Sequence, residues 1–346
     1  MHSTTRWKLT PSFTFDALCW LNVLTGDPFY VCYYPQDYEA FKKRLTPDAI
    51  QALAGLKTKV KDQGHIISAL LCLYFSATDD QTLADLLNSV EDSSHMYEVL
   101  KESPYYDEKG WQCYESIRPE LKILLLFLQE IGFDDYWRST ILLRVEQRIA
   151  VLQQELAPFN VIVEDEALLG FSLPSDEITV HVLYYIQPHG IRILGTRFLT
   201  DITYASSVQV RTAVHEMFHP PYDREDTQVQ ACLCELEKDA FLMEAFVNHN
   251  PDYGYNTFEG LIEEGCVRAL DQLVNEKLGI AKDAHERWRT DDEGMHVFAA
   301  CLYAAMKEEH YNHRGEVFEI FFTRMIGSKL KPGGLKQLYT RFMQNA

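Results

Sequence analysis

The stretch "TAVHEMFHPPYD", residues 212–223, carries His-Glu-x-x-His as His215, Glu216 and His219. On a helix, residues four apart share one face, so the two imidazoles stand one turn apart. Two neutral imidazoles placed that way can hold one Zn²⁺ at ~2.0–2.1 Å. Glu216 lies one residue past the first of them and is turned away from direct ligation. A carboxylate there can take the proton of a water that the ion acidifies. Pro220 and Pro221 follow at once, and a residue before proline avoids α geometry. The helix is therefore expected to stop at His219, with that side chain still free to point inward.

The surrounding residues support a helix. In "SSVQVRTAVHEMFH", Ser206 and Gln209 have the spacing of a capping box, which predicts a helix from about 207 to 219. Val210, Ala213, Val214 and Met217 cover a neighbouring face and can anchor it in a core. Just upstream, "EITVHVLYYI" at 177–186 alternates Ile178, Val180, Val182, Tyr184 and Ile186 on one face. "QPHG" at 187–190 is a turn signal and "IRILGTRFL" resumes the strand pattern, so a hairpin is expected, its edge able to take an extended peptide. "FNVIVEDE" at 159–166 is short and β-branched and also reads as a strand.

Ahead of Pro158 the pattern is helix after helix. "TPDAIQALAGLKTKV" opens with Thr46 at an N-cap position and Pro47 at the first helical one. "HIISALLCLYFS", "DDQTLADLLNSV" and "PELKILLLFLQEIGF" follow, then a long amphipathic stretch that ends near Pro158. The chain divides on this reading into an all-helical region, 1–158, and a domain with a small β-sheet, 159–346. The fold class is α+β, mostly helical.

A catalytic metal site needs a third protein ligand and an open position. "NTFEGLIEEGCVRALDQLV", 256–274, is a second amphipathic helix carrying Glu263 and Glu264, with Gly265 after them. His-Glu-x-x-His on one helix and Glu-Gly on a later one resemble the gluzincin branch of the zinc metallopeptidases. That group includes thermolysin and the membrane-alanyl-type aminopeptidases. The resemblance covers about residues 159–275. It implies a zincin-like domain, Zn²⁺ as cofactor, His215, His219 and Glu264 as ligands with Glu263 as fallback, and Glu216 as general base. It also implies a peptide or protein substrate.

The match has departures. Between His219 and Glu264 lie 44 residues, room for an extra helix over 226–249. That helix brings Glu235 and Glu237, with Glu235 four residues before Asp239, as rival third ligands. A metzincin pattern would want Gly and then His or Asp where Tyr222 and Glu225 stand. Gluzincins often steady the oxyanion with a Tyr or His from C-terminal helices, and His296, Tyr303, His310, Tyr311 and His313 are the candidates here. Two other readings stand beside the peptidase: an inactive zincin-like binding or regulatory protein, and a helical interaction protein with a chance motif.

Composition bounds the partners. The chain has 346 residues, is 47% hydrophobic and 24% charged, and carries a formal charge of −19. That charge disfavours polyanionic partners, so neither nucleic acid nor an anionic membrane surface is expected. The longest apolar run, "LKILLLFL" at 121–128, is too short to span a bilayer. The eight cysteines sit mostly in apolar surroundings with no Cys-x-x-Cys pair, as expected of reduced thiols in a cytoplasmic protein. "EDEALLG" at 164–170 and "TDDEG" at 290–294 read as solvated acidic faces.

Overall fold

A computed structural model describes the chain except Asp62, Gly254, Asn256, His313, Arg314, Asn345 and Ala346. The fold is a mostly helical α+β arrangement with one small mixed sheet. The chain forms two compact units, and it passes between them more than once. One comprises residues 6–157 and 177–206, the other residues 1–5, 158–176 and 207–346.

The first unit contains the whole sheet. Its strands are β1 (Arg6–Pro11), β2 (Glu177–Leu183), β3 (Ile191–Ile193) and β4 (Arg197–Asp201), in the order β1-β2-β4-β3. β1 lies in the region expected to be all-helical. Its short polar-apolar mixture, "RWKLTP", carries little strand signal, and pairing with β2 is what makes it a strand. The alternation expected in β2 is real: Ile178, Val180 and Val182 are fully buried. The expected hairpin between "EITVHVLYYI" and "IRILGTRFL" does not form. β2 runs parallel to both β1 and β4. The antiparallel partner of β4 is β3, joined to it by a tight turn in which Gly195 takes φ +75°. β2 is thus central, and it offers no free edge for a peptide.

The helices of this unit follow their sequence signals. Thr46 accepts a hydrogen bond from the Ala49 N–H at 3.2 Å, and Pro47 opens the helix Pro47–Lys61. The long stretch before Pro158 is interrupted by a π-helical turn over Trp137–Ile141 before the helix Leu142–Leu156.

In the second unit "FNVIVEDE" is part of a helix, Val161–Leu169, and not a strand. Val161, Ile162, Asp165, Glu166 and Leu169 are its buried residues, a helical stripe that includes two acids. Counting apolar residues alone hides that stripe. The same finding corrects the solvated reading of 164–170. The Glu166 carboxylate accepts hydrogen bonds from the His2 and Leu173 backbone N–H groups at 2.5 and 2.8 Å. The extra helix expected over 226–249 is two, Thr227–Leu236 and Ala240–Asn248. Asp239 separates them, because its side chain caps the second by accepting from Phe241 and Leu242 N–H at 3.0 Å each.

Among the described residues no helix is long and apolar enough to cross a membrane. All eight cysteines are free thiols, five of them buried, while Cys32 and Cys234 are exposed.

Candidate metal centre

The motif lies on the helix Ser206–Met217 of the second unit. Ser206 is already its first helical residue, one place inside the position that a capping box requires. Val210, Ala213, Val214 and Met217 are buried and fix the helix in the core. The helix ends two residues before His219. The last N–H groups, of Phe218 and His219, reach back only three residues, to the carbonyls of His215 and Glu216 at 3.2 and 3.4 Å. The prolines then turn the chain, which brings Arg224 onto Glu263: Nε and Nη2 donate to its two oxygens at 2.5 and 2.7 Å.

The second element is the helix Phe258–Lys277, capped by Thr257, whose hydroxyl accepts from the Gly260 N–H at 3.1 Å. Glu263, Glu264 and Asp271 are all buried on it. Carboxylates seven residues apart lie about two turns apart on one face, so Glu264 and Asp271 both look toward the motif. Gly265 lets a neighbour approach closely, since a Cβ there would lie 2.8 Å from the Phe298 ring.

His215, His219 and Glu264 come together as a group able to hold a metal ion. The imidazole Nε2 atoms are 3.3 Å apart, and Oε2 of Glu264 lies 3.5 Å from each. Three donors of a four-coordinate ion bound at ~2.0–2.1 Å are ~3.3–3.4 Å apart by tetrahedral geometry. The triangle therefore needs almost no adjustment to fit.

The outer nitrogens are already committed. Nδ1 of His215 donates to Asp271 Oδ2 at 2.9 Å, and Nδ1 of His219 to Glu263 Oε1 at 3.2 Å. Each bond places the ring proton on Nδ1 and turns the Nε2 lone pair toward the centre. Arg287 in turn donates to Asp271. Two lone pairs facing each other at 3.3 Å repel unless a cation lies between them.

The electrostatics agree. Burial alone would depress the His215 pKa, but Glu264 and the bond to Asp271 outweigh it and lift it to about 10. His219 is raised too, against burial, by Glu263 and Glu264. Burial opposes ionisation of Glu264, yet His215 and Arg268 hold it well below the usual carboxylate range. The His215 and His219 side chains are 21% and 19% exposed against 4% for Glu264, so the imidazoles form the more accessible side of the group.

Glu216 is on the motif helix and nearly buried, at 8% exposure. The rival ligands are not at the centre: Glu235 and Glu237 are exposed, and Glu235 pairs with Lys238 at 2.5 Å. Glu263 serves the far side of His219. Of the oxyanion candidates, Tyr303 donates to Glu276 and Tyr311 to the Leu168 carbonyl. His310 ends a helix with φ +49°. His313 lies outside the described residues. His296 is buried beside Asp292, to which its Nε2 is 2.6 Å away.

Sequence reasoning overlooked Arg268, Asp271, Arg224, Arg287, Asp292 and Tyr255. Asp292 belongs to "TDDEG", expected to be solvated, yet it accepts from Arg268 Nη2 at 2.7 Å. The signal for Arg268 and Asp271 was present in their spacing of four and seven from Glu264. Compared with known proteins, the chain matches no family model, no curated protein and no solved structure.

Proposed function

We propose that the chain is a zinc-dependent hydrolase, a metallopeptidase of gluzincin type. The observation that carries this reading is the triangle of His215 Nε2, His219 Nε2 and Glu264 Oε2, with both outer imidazole nitrogens held by acids. Three protein donors with a solvent-facing side are the pattern of a catalytic rather than a structural zinc site. Zinc bound there supplies a Lewis acid for the substrate carbonyl and acidifies water to a pKa near ~7.

The chain's own residues do the rest. Asp271 and Glu263 keep the two imidazoles in the ligating tautomer and orientation. Glu216, one residue beyond His215 and off the ligating face, accepts the proton of the attacking water and passes it to the departing amine. A carboxylate is suited to both steps, because the proton it accepts stays within reach of the leaving group. Peptides or proteins are the substrate class.

The test is hydrolysis of a mixed peptide library, followed by mass spectrometry, with bound zinc measured on the same protein. Cleavage that needs zinc supports the reading. Stoichiometric zinc with no cleavage of any peptide would turn it toward a metal-holding binding module. No zinc after loading and dialysis would sink it.

A further inference from the structure

The inference rests on the metal reading above and concerns how Glu264 is presented. We propose that Arg268, braced by Asp292 and His296, is a positioning residue that keeps Glu264 a one-oxygen ligand and so reserves the open side of the ion for water and substrate.

A carboxylate can bind a metal through one oxygen or two. The two oxygens of Glu264 have different surroundings. Oε2 faces both imidazoles at 3.5 Å. Oε1 accepts from Arg268 Nε at 2.6 Å and from the Tyr255 hydroxyl at 3.1 Å. An oxygen that accepts a charge-assisted bond and a hydroxyl bond has little reason to turn toward a second cation. Glu264 and Arg268 are four apart on one helix, neighbours along its surface. The guanidinium is largely buried, 13% exposed.

Arg268 is itself held in place. Its Nη2 donates to Asp292 Oδ2 at 2.7 Å, and Nη1 is 3.7 Å from Asp291. The rigid fork suits this task, because Nε and Nη2 point at two different carboxylates at once and a lysine ammonium has no such geometry. Asp292 receives a second bond from His296. Burial keeps His296 neutral, so its single ring proton sits on Nε2 and is donated to Asp292. Asp292 and Glu293 both take left-handed backbone, φ +46° and +58°, which side chains other than glycine rarely adopt. The contacts of Asp292 with Arg268 and His296 offset that cost, and they fix the carboxylate where Arg268 needs it.

Cobalt(II) in place of zinc reports coordination number through its visible d–d bands, independently of turnover. The full chain is loaded with cobalt alone. Wild type is expected to show the intense bands of a four-coordinate site. In Arg268→Met, Oε1 is released toward the ion, so the bands should weaken and move to shorter wavelength as a fifth ligand atom enters. Metal affinity should also fall ~10–100-fold, the usual effect of removing an outer-shell partner. Arg268→Lys should restore the charge but only part of the wild-type spectrum.

Arg268→Met leaves Glu264 buried without its counter-charge and can unfold the chain. Asp292→Asn is therefore measured in parallel, since it keeps Arg268 and weakens its brace by removing the Asp292 charge; a partial shift in the same direction is expected. If either folded variant binds cobalt with the wild-type spectrum, the positioning role is overturned and the metal reading stands. If wild type itself takes up neither cobalt nor zinc, both are overturned.

Discussion

Glu263 and Glu264 are adjacent in the chain and act on different atoms: Glu264 Oε2 faces the two imidazole Nε2 atoms, while Glu263 Oε1 accepts from Nδ1 of His219. About 100° of helix separates neighbouring residues. That angle is enough to give one carboxylate to the inside of the site and the other to its outer side. Spacing alone leaves the two neighbouring glutamates equivalent, and the nitrogen that each one meets sets them apart.

Metal binding should follow this division. Zinc loaded into wild type and dialysed should remain at one ion per chain. His215→Ala, His219→Ala and Glu264→Ala should each lose tight binding, since two remaining ligands hold a metal weakly. Glu235→Ala should bind like wild type, because Glu235 is exposed and paired with Lys238. Glu263→Gln should bind more weakly by ~10–100-fold without abolishing the site. Metal analysis after competition with a chelator ranks the variants. Equal losses in Glu263→Gln and Glu264→Ala would contradict the roles assigned to them.

Gly265 has a packing role that can be tested apart from the chemistry. A methyl group there would stand 2.8 Å from the Phe298 ring, inside contact distance. Gly265→Ala should therefore destabilise the protein by ~1–3 kcal/mol, the usual range for overpacking. The push falls on the helix that carries Glu264, so metal affinity should drop with it. Thermal unfolding and zinc competition measure the two effects. A variant as stable as wild type would mean that Phe298 yields readily.

The motif, its anchoring apolar face and the Glu-Gly step were legible because each is a local pattern. His215 and His219 need only helical spacing, and Val210, Ala213, Val214 and Met217 fall on one side of the same helix. The strand pairing was not legible. Whether β2 pairs with β4 in parallel or as a hairpin depends on where the residues between them go, and β3 takes the hairpin role instead. The helix Val161–Leu169 does not show in the apolar periodicity because its buried stripe includes Asp165 and Glu166. The outer shell was hidden for the same reason. Arg268, Asp271 and Asp292 look like ordinary surface charges until the fold closes them around one another.

His181 on β2 should make the first unit sensitive to acid. Among the described residues neither ring nitrogen has a hydrogen-bond partner, and the ring stands edge-on to Phe15. Burial, with Arg197 and Lys8 adding to it, lowers its pKa from 6.5 to about 3. Below 6.5 the unfolded chain takes up a proton there that the folded chain refuses until about pH 3. The stability from neutral His181 is thus complete above pH 6.5 and is lost as the pH falls toward 3. Each pH unit is worth at most ~1.4 kcal/mol, so up to about 3 kcal/mol should disappear between pH 6.5 and about pH 4.5. Urea unfolding of wild type and His181→Leu at both pH values checks this. The leucine variant should lose less stability on acidification, and parallel losses would count against the assignment.

Glu216 is the residue on which the proposed chemistry depends. It follows His215 directly, so it cannot share the ligating face, and it is nearly buried. Glu216→Gln keeps the size and shape of the side chain and removes its capacity to accept a proton. The three donor atoms and the anchoring face of the helix are untouched, so zinc content and folding should match wild type. Peptide hydrolysis should fall by ~10²–10⁴, the usual contribution of a general base. Both proteins are incubated with the same peptide library, and zinc is measured on the same samples. Equal cleavage by the two proteins would remove Glu216 from the mechanism. Loss of zinc together with activity would show that Glu216 supports the metal site, and the general-base role would then pass to another group. Retained zinc with lost hydrolysis is the outcome that separates a base from a ligand, because no ligand can be neutralised without loosening the ion.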